Sequence, residues 1–124
     1  MKKHLPALGI LLIGLGCYQP ERNCQAFRNG TFTFTTEVKG ESRTTTFVRK
    51  GGQEIDYYEG DADTSSVRWI NDCEYVVKKL HPQNLSEEKS IHMKILSTKA
   101  DSYIFEYNIL GNSEKSRGTA IKTK

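Results

Sequence analysis

The chain has 124 residues, which suits one ordinary domain and leaves no room for a second domain of useful size. Its residues are 36% hydrophobic and 27% charged, as in a folded soluble domain rather than a disordered chain. The formal charge is +3, but Lys2 and Lys3 fall in a segment that we expect to be removed, which leaves sixteen basic against fifteen acidic side chains. This balance excludes the basic footprint of a nucleic-acid-binding protein.

The start of the chain has the anatomy of a secretory signal peptide. A short basic head precedes twelve apolar residues, 5–16, which end in small residues just before Cys17. A helix needs about 20 apolar residues to span a bilayer, so this run is too short to remain in a membrane. We therefore predict that residues 1–16 are a signal peptide rather than a buried core helix.

The four residues Gly14-Leu15-Gly16-Cys17 resemble the lipobox of bacterial lipoproteins, in which the cysteine becomes the first mature residue and is acylated. That family places a leucine three positions before the cysteine, and here it stands two before. The resemblance implies a palmitate-type anchor on Cys17 in the lipid membrane, with residues 17–28 as lipidated Cys and tether. Because Tyr18 is not the aspartate of inner-membrane retention, it implies an outer membrane lipoprotein of the cell envelope, on the periplasmic or surface side.

Two cysteines remain once Cys17 carries lipid. Cys24 and Cys73 would form a disulfide in an oxidising compartment, with two free buried thiols as the alternative. No two cysteines are separated by two residues, so a redox motif or a zinc ribbon has no support.

From Thr31 onward the apolar residues recur with a period of two, which predicts strands rather than helices. Turn formers separate eight such runs, with a possible helical turn at 84–89 in the longest polar break. The runs are 31–38, 42–50, 53–59, 65–70, 73–80, 90–97, 102–110 and 117–123.

Eight short-looped strands predict an all-β domain over 29–124, an antiparallel up-and-down meander closed into a barrel, with a two-layer sandwich as the alternative. On the third and last runs the alternation favours Ile55 with Tyr57, and Thr119 with Ile121, as the inward residues. Nine of the twelve aromatic residues fall on the predicted interior or ligand-lining face: Phe32, Phe34, Phe47, Tyr57, Trp69, Tyr75, Tyr103, Phe105 and Tyr107. Because an eight-stranded barrel has a narrow interior, this aromatic density predicts one that is mostly filled.

Two short motifs resemble those of the lipocalin barrels. Asn29-Gly30-Thr31-Phe32 resembles the step that enters the first lipocalin strand, and Arg117-Gly118-Thr119 resembles the start of the last one. The resemblance implies that Phe32 stands where the family has a tryptophan and that Arg117 packs across it to close the barrel base. As a whole the chain resembles short bacterial envelope lipoproteins with one lipocalin-like β domain, some of which carry a transferred DNA topoisomerase IV name that nothing here supports.

The sequence offers no catalytic constellation. His81 and His92 have no second histidine, cysteine or carboxylate at ligand spacing. The nucleophile elbow, the phosphate-binding glycine loop and the HExxH motif are all missing. We therefore predict that the protein is not an enzyme and has no catalytic residues, metal or cofactor.

One acidic run has partial calcium-loop spacing. Asp61, Asp63 and Ser65 stand at positions one, three and five of such a loop, but Ser66 replaces the glycine that its sharp turn requires. The run 59–66 is therefore interpreted as a polar hairpin loop.

The leading hypothesis is a non-enzymatic, membrane-anchored lipoprotein that binds a small apolar ligand or an envelope protein, and no nucleic acid. The alternative is a protein interaction or structural module that uses an exposed sheet face, with Tyr58, Ile70, Val76 and Ile104 as anchors. A hydrolase, which would rest on scattered carboxylates, and a nucleic-acid-associated protein are remote alternatives.

Overall fold

The structure, a computed structural model, describes residues 22–124, apart from the side chains of Glu37 and Val38. The predicted signal peptide, Cys17 and the first part of the predicted tether lie outside these residues. Over the described range, none of the helical segments has the length and apolar character needed to cross a membrane.

The described chain is an eight-stranded antiparallel barrel, which confirms the predicted fold class. Each strand pairs with the next along the chain, and β1 pairs with β8 through Phe32 to Phe34, so the sheet closes and the sandwich alternative is wrong. The strands are β1 Gly30–Val38, β2 Glu41–Lys50, β3 Gln53–Tyr58, β4 Asp61–Asn71, β5 Glu74–Lys79, β6 Ile91–Thr98, β7 Ser102–Ile109 and β8 Ser116–Lys122.

Two tight turns set the register of β2, β3 and β4. Gly51 and Gly52 connect β2 to β3, and Glu59 and Gly60 connect β3 to β4, all four with positive φ. Two-residue turns of this handedness match the twist of paired strands. The polar run from Asp61 therefore belongs to β4 and is not the hairpin loop that its composition predicts.

A short 3-10 helix, Cys24–Phe27, covers one end of the barrel, and we call it the base helix. Phe27 is buried against Tyr103, with ring centres 5.2 Å apart. A disulfide between Cys24 and Cys73 joins the base helix to the start of β5. Residues 24–28, which the sequence assigned to the tether, thus pack as part of the barrel because Phe27 fills its end.

The half of the barrel next to the base helix is filled by aromatic side chains. Phe32 stacks on Phe47 at 5.1 Å between ring centres, and Trp69 contacts Tyr75 at 4.5 Å. The other half is open. The expectation of a mostly filled interior therefore holds only for the base half of the barrel.

Candidate ligand-binding cavity

The open half of the barrel contains a cavity of about 690 Å³, which we call the lumen. Its opening, the mouth, lies at the end opposite the base helix, where the turns β1–β2, β3–β4 and the segment 80–90 meet. Binding sites for small molecules usually measure about 300–1,000 Å³, so the lumen is of ordinary size for one ligand.

One side of the lumen is apolar. It is formed by side chains from β1, β6 and β7, chiefly Phe34, Ile91, Met93, Phe105 and Tyr107. Phe34 and Phe105 meet edge to face at 5.3 Å between ring centres. Gly118 on β8 allows this contact, because a Cβ there would stand 2.5 Å from Phe34 and 2.8 Å from Phe105. We call these five residues the apolar wall.

The opposite side of the lumen is acidic. Glu54 and Asp56 of β3 and Asp61 and Asp63 of β4 line it, and we call these four residues the acidic wall. Asp56 and Asp63 are direct cross-strand partners, as are Glu54 and Ser65. Directly opposed residues on paired strands share one face of the sheet, which brings these side chains together inside the barrel.

Arg49 forms the floor of the lumen. Its side chain points inward from β2 and is 1% exposed. Nη1 donates to Glu54 Oε1 at 3.0 Å and to Tyr75 Oη at 2.9 Å, and Nη2 donates to Tyr103 Oη at 3.3 Å. One buried cation therefore connects β2, β3, β5 and β7.

Arg49 also holds the base helix. Nη2 donates to the carbonyl oxygen of Phe27 at 2.6 Å, and Nε donates to that of Arg28 at 3.0 Å. With Glu54 and the two tyrosines, each of the five guanidinium N–H groups has an acceptor. Full hydrogen bonding of this kind compensates the cost of burying a charge.

The electrostatics of the floor follow from burial and pairing. Burial opposes the charge of Arg49, but Tyr75, Tyr103 and Glu54 outweigh it and raise the pKa of the guanidinium above its ordinary value. Burial also raises the pKa of the Glu54 carboxyl, against the opposing influence of Arg49.

Asp56 is a partly buried carboxyl group of the acidic wall. Burial, with the neighbouring carboxylates of Glu54 and Asp63, raises the pKa of Asp56 to about 7, although Lys79 and Arg49 act in the opposite direction. A side chain with such a raised pKa inside a cavity marks a candidate functional site.

Lys79 fixes the segment 80–90 at the mouth. Its Nζ lies 2.8 Å from Asp63 Oδ2 and 2.6 Å from Glu87 Oε1, and these hydrogen bonds raise the pKa of Lys79. The other Glu87 oxygen accepts from the backbone N–H of Gln83 at 3.0 Å. The positive charge of Lys79 is therefore committed to two carboxylates.

Eight of the nine aromatic residues predicted for the interior lie inside the barrel. They are Phe32, Phe34, Phe47, Trp69, Tyr75, Tyr103, Phe105 and Tyr107. Tyr57 lies outside and is 45% exposed, because β3 turns Glu54, Asp56 and Tyr58 inward instead. The prediction for this strand was one residue out of phase.

Arg117 does not close the base. Its side chain is 69% exposed on the outer face, near the mouth, and Nε lies 3.4 Å from Glu106 Oε2. β8 turns Gly118 and Ala120 inward opposite Phe105 and Tyr103, since only small residues fit there. The predicted inward pair of Thr119 and Ile121 is therefore wrong, and Arg49 occupies the position at the base that Arg117 was expected to fill.

Arg49, Glu54 and Asp56 are the site residues that the sequence analysis missed. The two tight turns carried the signal. Arg49 lies two residues after the inward Phe47, so its side chain also points inward. Across the Gly51-Gly52 turn, Arg49 pairs with Glu54 and Phe47 pairs with Asp56, so these two acidic side chains must point inward as well.

Among residues 22–124 there is no group of three histidine, cysteine or acidic side chains placed to hold a metal ion. The carboxylates of the acidic wall are spread along two strands rather than gathered around one point. Searches against protein family models, curated proteins and solved structures each return no match for this chain.

Proposed function

We propose that this protein binds a small molecule in the lumen of its barrel and that it does so as a lipoprotein anchored to the outer membrane through Cys17. The observation that carries the proposal is the open cavity of about 690 Å³ above a fully packed floor. A barrel that needed only to be stable would gain from filling this space with apolar side chains, because their burial stabilises a fold.

A neutral apolar dye that fluoresces when shielded from water, N-phenyl-1-naphthylamine, tests binding in the lumen. Saturable binding of at most one dye per barrel is expected. Met93→Trp places a bulky ring in the lumen and should abolish binding, whereas Ile104→Trp adds the same ring on the outer face of β7 and should leave it intact. Equal binding by both variants would contradict the proposal.

The anchor is tested separately by the intact mass of the protein purified from its native membrane. The expected mass begins at Cys17 and includes acyl chains, which should be missing when Cys17 is replaced by serine. A mass that includes residues 1–16 without lipid would leave the lumen proposal standing and remove the membrane anchor.

The alternative of an exposed interaction face has less support. Val76 is buried, and Tyr58 lines the lumen, so only Ile70 and Ile104 of its four expected anchors stand exposed on the outer surface. They lie on β4 and β7, three strands apart, and do not form one patch.

A second candidate function is hydrolysis, which the pair of Asp56 and Asp63 favours. A carboxyl group with its pKa raised to about 7 beside a carboxylate is the arrangement of a general acid with its partner. Turnover of chromogenic glycosides that disappears in Asp56→Asn would establish this function. No turnover by the native protein would leave binding as the function.

A further inference from the structure

The lumen has a chemical polarity across its width, which the proposed function does not itself require. In a ring of eight strands β3 lies opposite β7, and β4 lies opposite β8. Glu54 and Asp56 of the acidic wall therefore face Phe105 and Tyr107 of the apolar wall across the lumen. A ligand that fills this space meets carboxyl groups on one side and aromatic rings on the other.

The charges around the lumen do not balance. Four carboxyl groups form the acidic wall and Glu87 adds a fifth at the mouth, whereas the cations are Lys79, Lys89 and, at the floor, Arg49, which pairs with Glu54. Lys79 is committed to Asp63 and Glu87. Lys89 lies at the exposed rim, on the segment 80–90, away from the floor.

Two carboxyl groups deep in the lumen have oxygens that accept no hydrogen bond from residues 22–124. Glu54 is 9% exposed and receives Arg49 on Oε1, while no hydrogen bond from residues 22–124 reaches its Oε2. Asp56 makes no hydrogen bond or ion pair within the same range of residues. Neither residue has a fully buried oxygen without a partner, so these oxygens are open to the lumen, where a hydrogen-bond donor of a ligand can reach them.

The identity of that donor follows from its surroundings. The carboxyl groups are too dispersed to surround a metal ion. An ammonium group has three N–H donors and a positive charge, so it can donate to both Glu54 and Asp56 and give Asp56 the ion pair that it does not make within residues 22–124. The apolar wall opposite requires that the rest of the ligand be hydrocarbon or aromatic.

We propose that the lumen binds an amphipathic amine, whose ammonium group contacts Glu54 and Asp56 and whose apolar body packs on Phe105 and Tyr107. This inference rests on the proposed function, since it names the class of ligand for the same cavity. The raised pKa of Asp56 is consistent with it, because a bound cation would return that carboxyl to its charged form.

Three probes of equal chain length test the inference by calorimetry at pH 8: 1-octylamine, 1-octanol and octanoate. The amine remains protonated at this pH, as a lysine side chain does. We expect the amine to bind at least tenfold more tightly than either of the others. Equal or tighter binding of octanol or octanoate would overturn the inference.

Asp56→Asn removes the charge and keeps the shape of the side chain. We expect this variant to lose about tenfold in affinity for the amine, the size of one charge-assisted hydrogen bond, and to bind octanol as the native protein does. Asp101→Asn removes one charge from an exposed turn at the base end and serves as the matched control. An unchanged affinity for the amine in Asp56→Asn would contradict the inference.

The methyl resonance of Met93 separates the two proposals, because Met93 lines the lumen. If octanol shifts this resonance as strongly as the amine, the lumen binds small molecules without selecting amines. If none of the three probes shifts it, the proposed function fails together with the inference.

Discussion

Arg49 Nη1 and Glu54 Oε1 lie 3.0 Å apart on the two sides of a tight glycine turn, and both side chains are buried inside the barrel. The pair is only five residues apart in sequence, yet it joins strands β2 and β3 at the level where the packed base ends and the lumen begins. The same guanidinium holds two tyrosine hydroxyls and two carbonyl groups at the end of the base helix. The floor of the lumen therefore depends on one cation.

Arg49→Met should destabilise the barrel by about 3–5 kcal/mol, because it leaves the Glu54 carboxylate and the polar groups around it buried without their partner. Urea unfolding followed by the fluorescence of Trp69 measures the loss. Arg68→Met removes an exposed arginine from the outer face of β4 and should change stability by less than about 0.5 kcal/mol.

The double variant Arg49→Met with Glu54→Gln separates charge from packing. It should recover part of the stability that Arg49→Met loses, since the unpaired charge is gone. A double variant that is less stable than Arg49→Met would show that the pair matters through packing rather than through charge.

The disulfide between Cys24 and Cys73 closes a loop of 49 residues. In the chain-entropy account, a crosslink over such a loop stabilises the folded state by about 4 kcal/mol. Replacing both cysteines with serine should lower the urea midpoint accordingly and expose Phe27 to solvent. The mass of the native protein should rise by two hydrogens when it is reduced. No such rise would mean that the thiols are free.

The stability of the barrel should depend on the ionisation of Asp56. Burial and the adjacent carboxylates raise the pKa of this group from 3.8 to about 7. Between these two values the folded chain keeps a proton that the unfolded chain releases, so the free energy of unfolding decreases as the pH rises, and above pH 7 the full penalty is present.

Asp56→Asn should remove this penalty. We expect the variant to be more stable than the native barrel at pH 8 by on the order of 2 kcal/mol, a figure below the full linkage value because the open lumen lets solvent screen the charge. The gain should disappear near pH 4. Urea unfolding at pH 4, 6 and 8 measures it, and a gain of equal size at all three values would exclude Asp56 as its source.

Gly118→Ala should narrow the lumen. The added methyl group would stand within 3 Å of both Phe34 and Phe105, so these rings, which line the lumen, would have to shift. We expect a loss of stability of about 1–2 kcal/mol and weaker binding of the neutral dye. Gly111→Ala is the control for the change of residue type, because Gly111 lies at an exposed turn where a Cβ meets no atom within 4 Å. The positive φ of Gly111 adds backbone strain to this variant. Dye binding that is unaffected by Gly118→Ala would place the dye elsewhere.

The strands and their closure were predictable because their signals are local. The alternation of apolar and polar residues around Phe32 and Phe34, or from Tyr103 to Tyr107, is visible in a single sequence and predicts a strand. Short turns between the strands make a meander the simplest topology. The phase of β3 was not predictable from apolar content, since Ile55 and Tyr57 are more apolar than Glu54 and Asp56. The pairing of β3 with β2 and β4 across the tight turns determines which of its side chains point inward, and it buries the carboxyl groups of Glu54 and Asp56.

The floor and the last strand show a different limit. The phase of β2 turns Arg49 inward, but the local sequence does not show what would satisfy its buried charge, because its five acceptors come from four separate parts of the chain. On β8, hydrophobicity favours Ile121, whereas the size of the opposing rings selects Gly118 and Ala120. Contacts between residues that are distant in sequence decide the orientation of both side chains, and such contacts leave no local pattern in the sequence.

The two ends of the described chain meet at the base of the barrel. Thr31 N–H donates to the carbonyl oxygen of Lys124 at 3.1 Å, and Lys122 Nζ donates to that of Ala26 at 2.7 Å. Cys17 lies five positions before Arg22 in the sequence, a reach of at most about 18 Å. A barrel anchored through Cys17 would therefore stand with its closed end toward the bilayer and its mouth toward the aqueous compartment. In that arrangement the proposed ligand would arrive through water, and the barrel would sample dissolved molecules rather than extract them from a membrane.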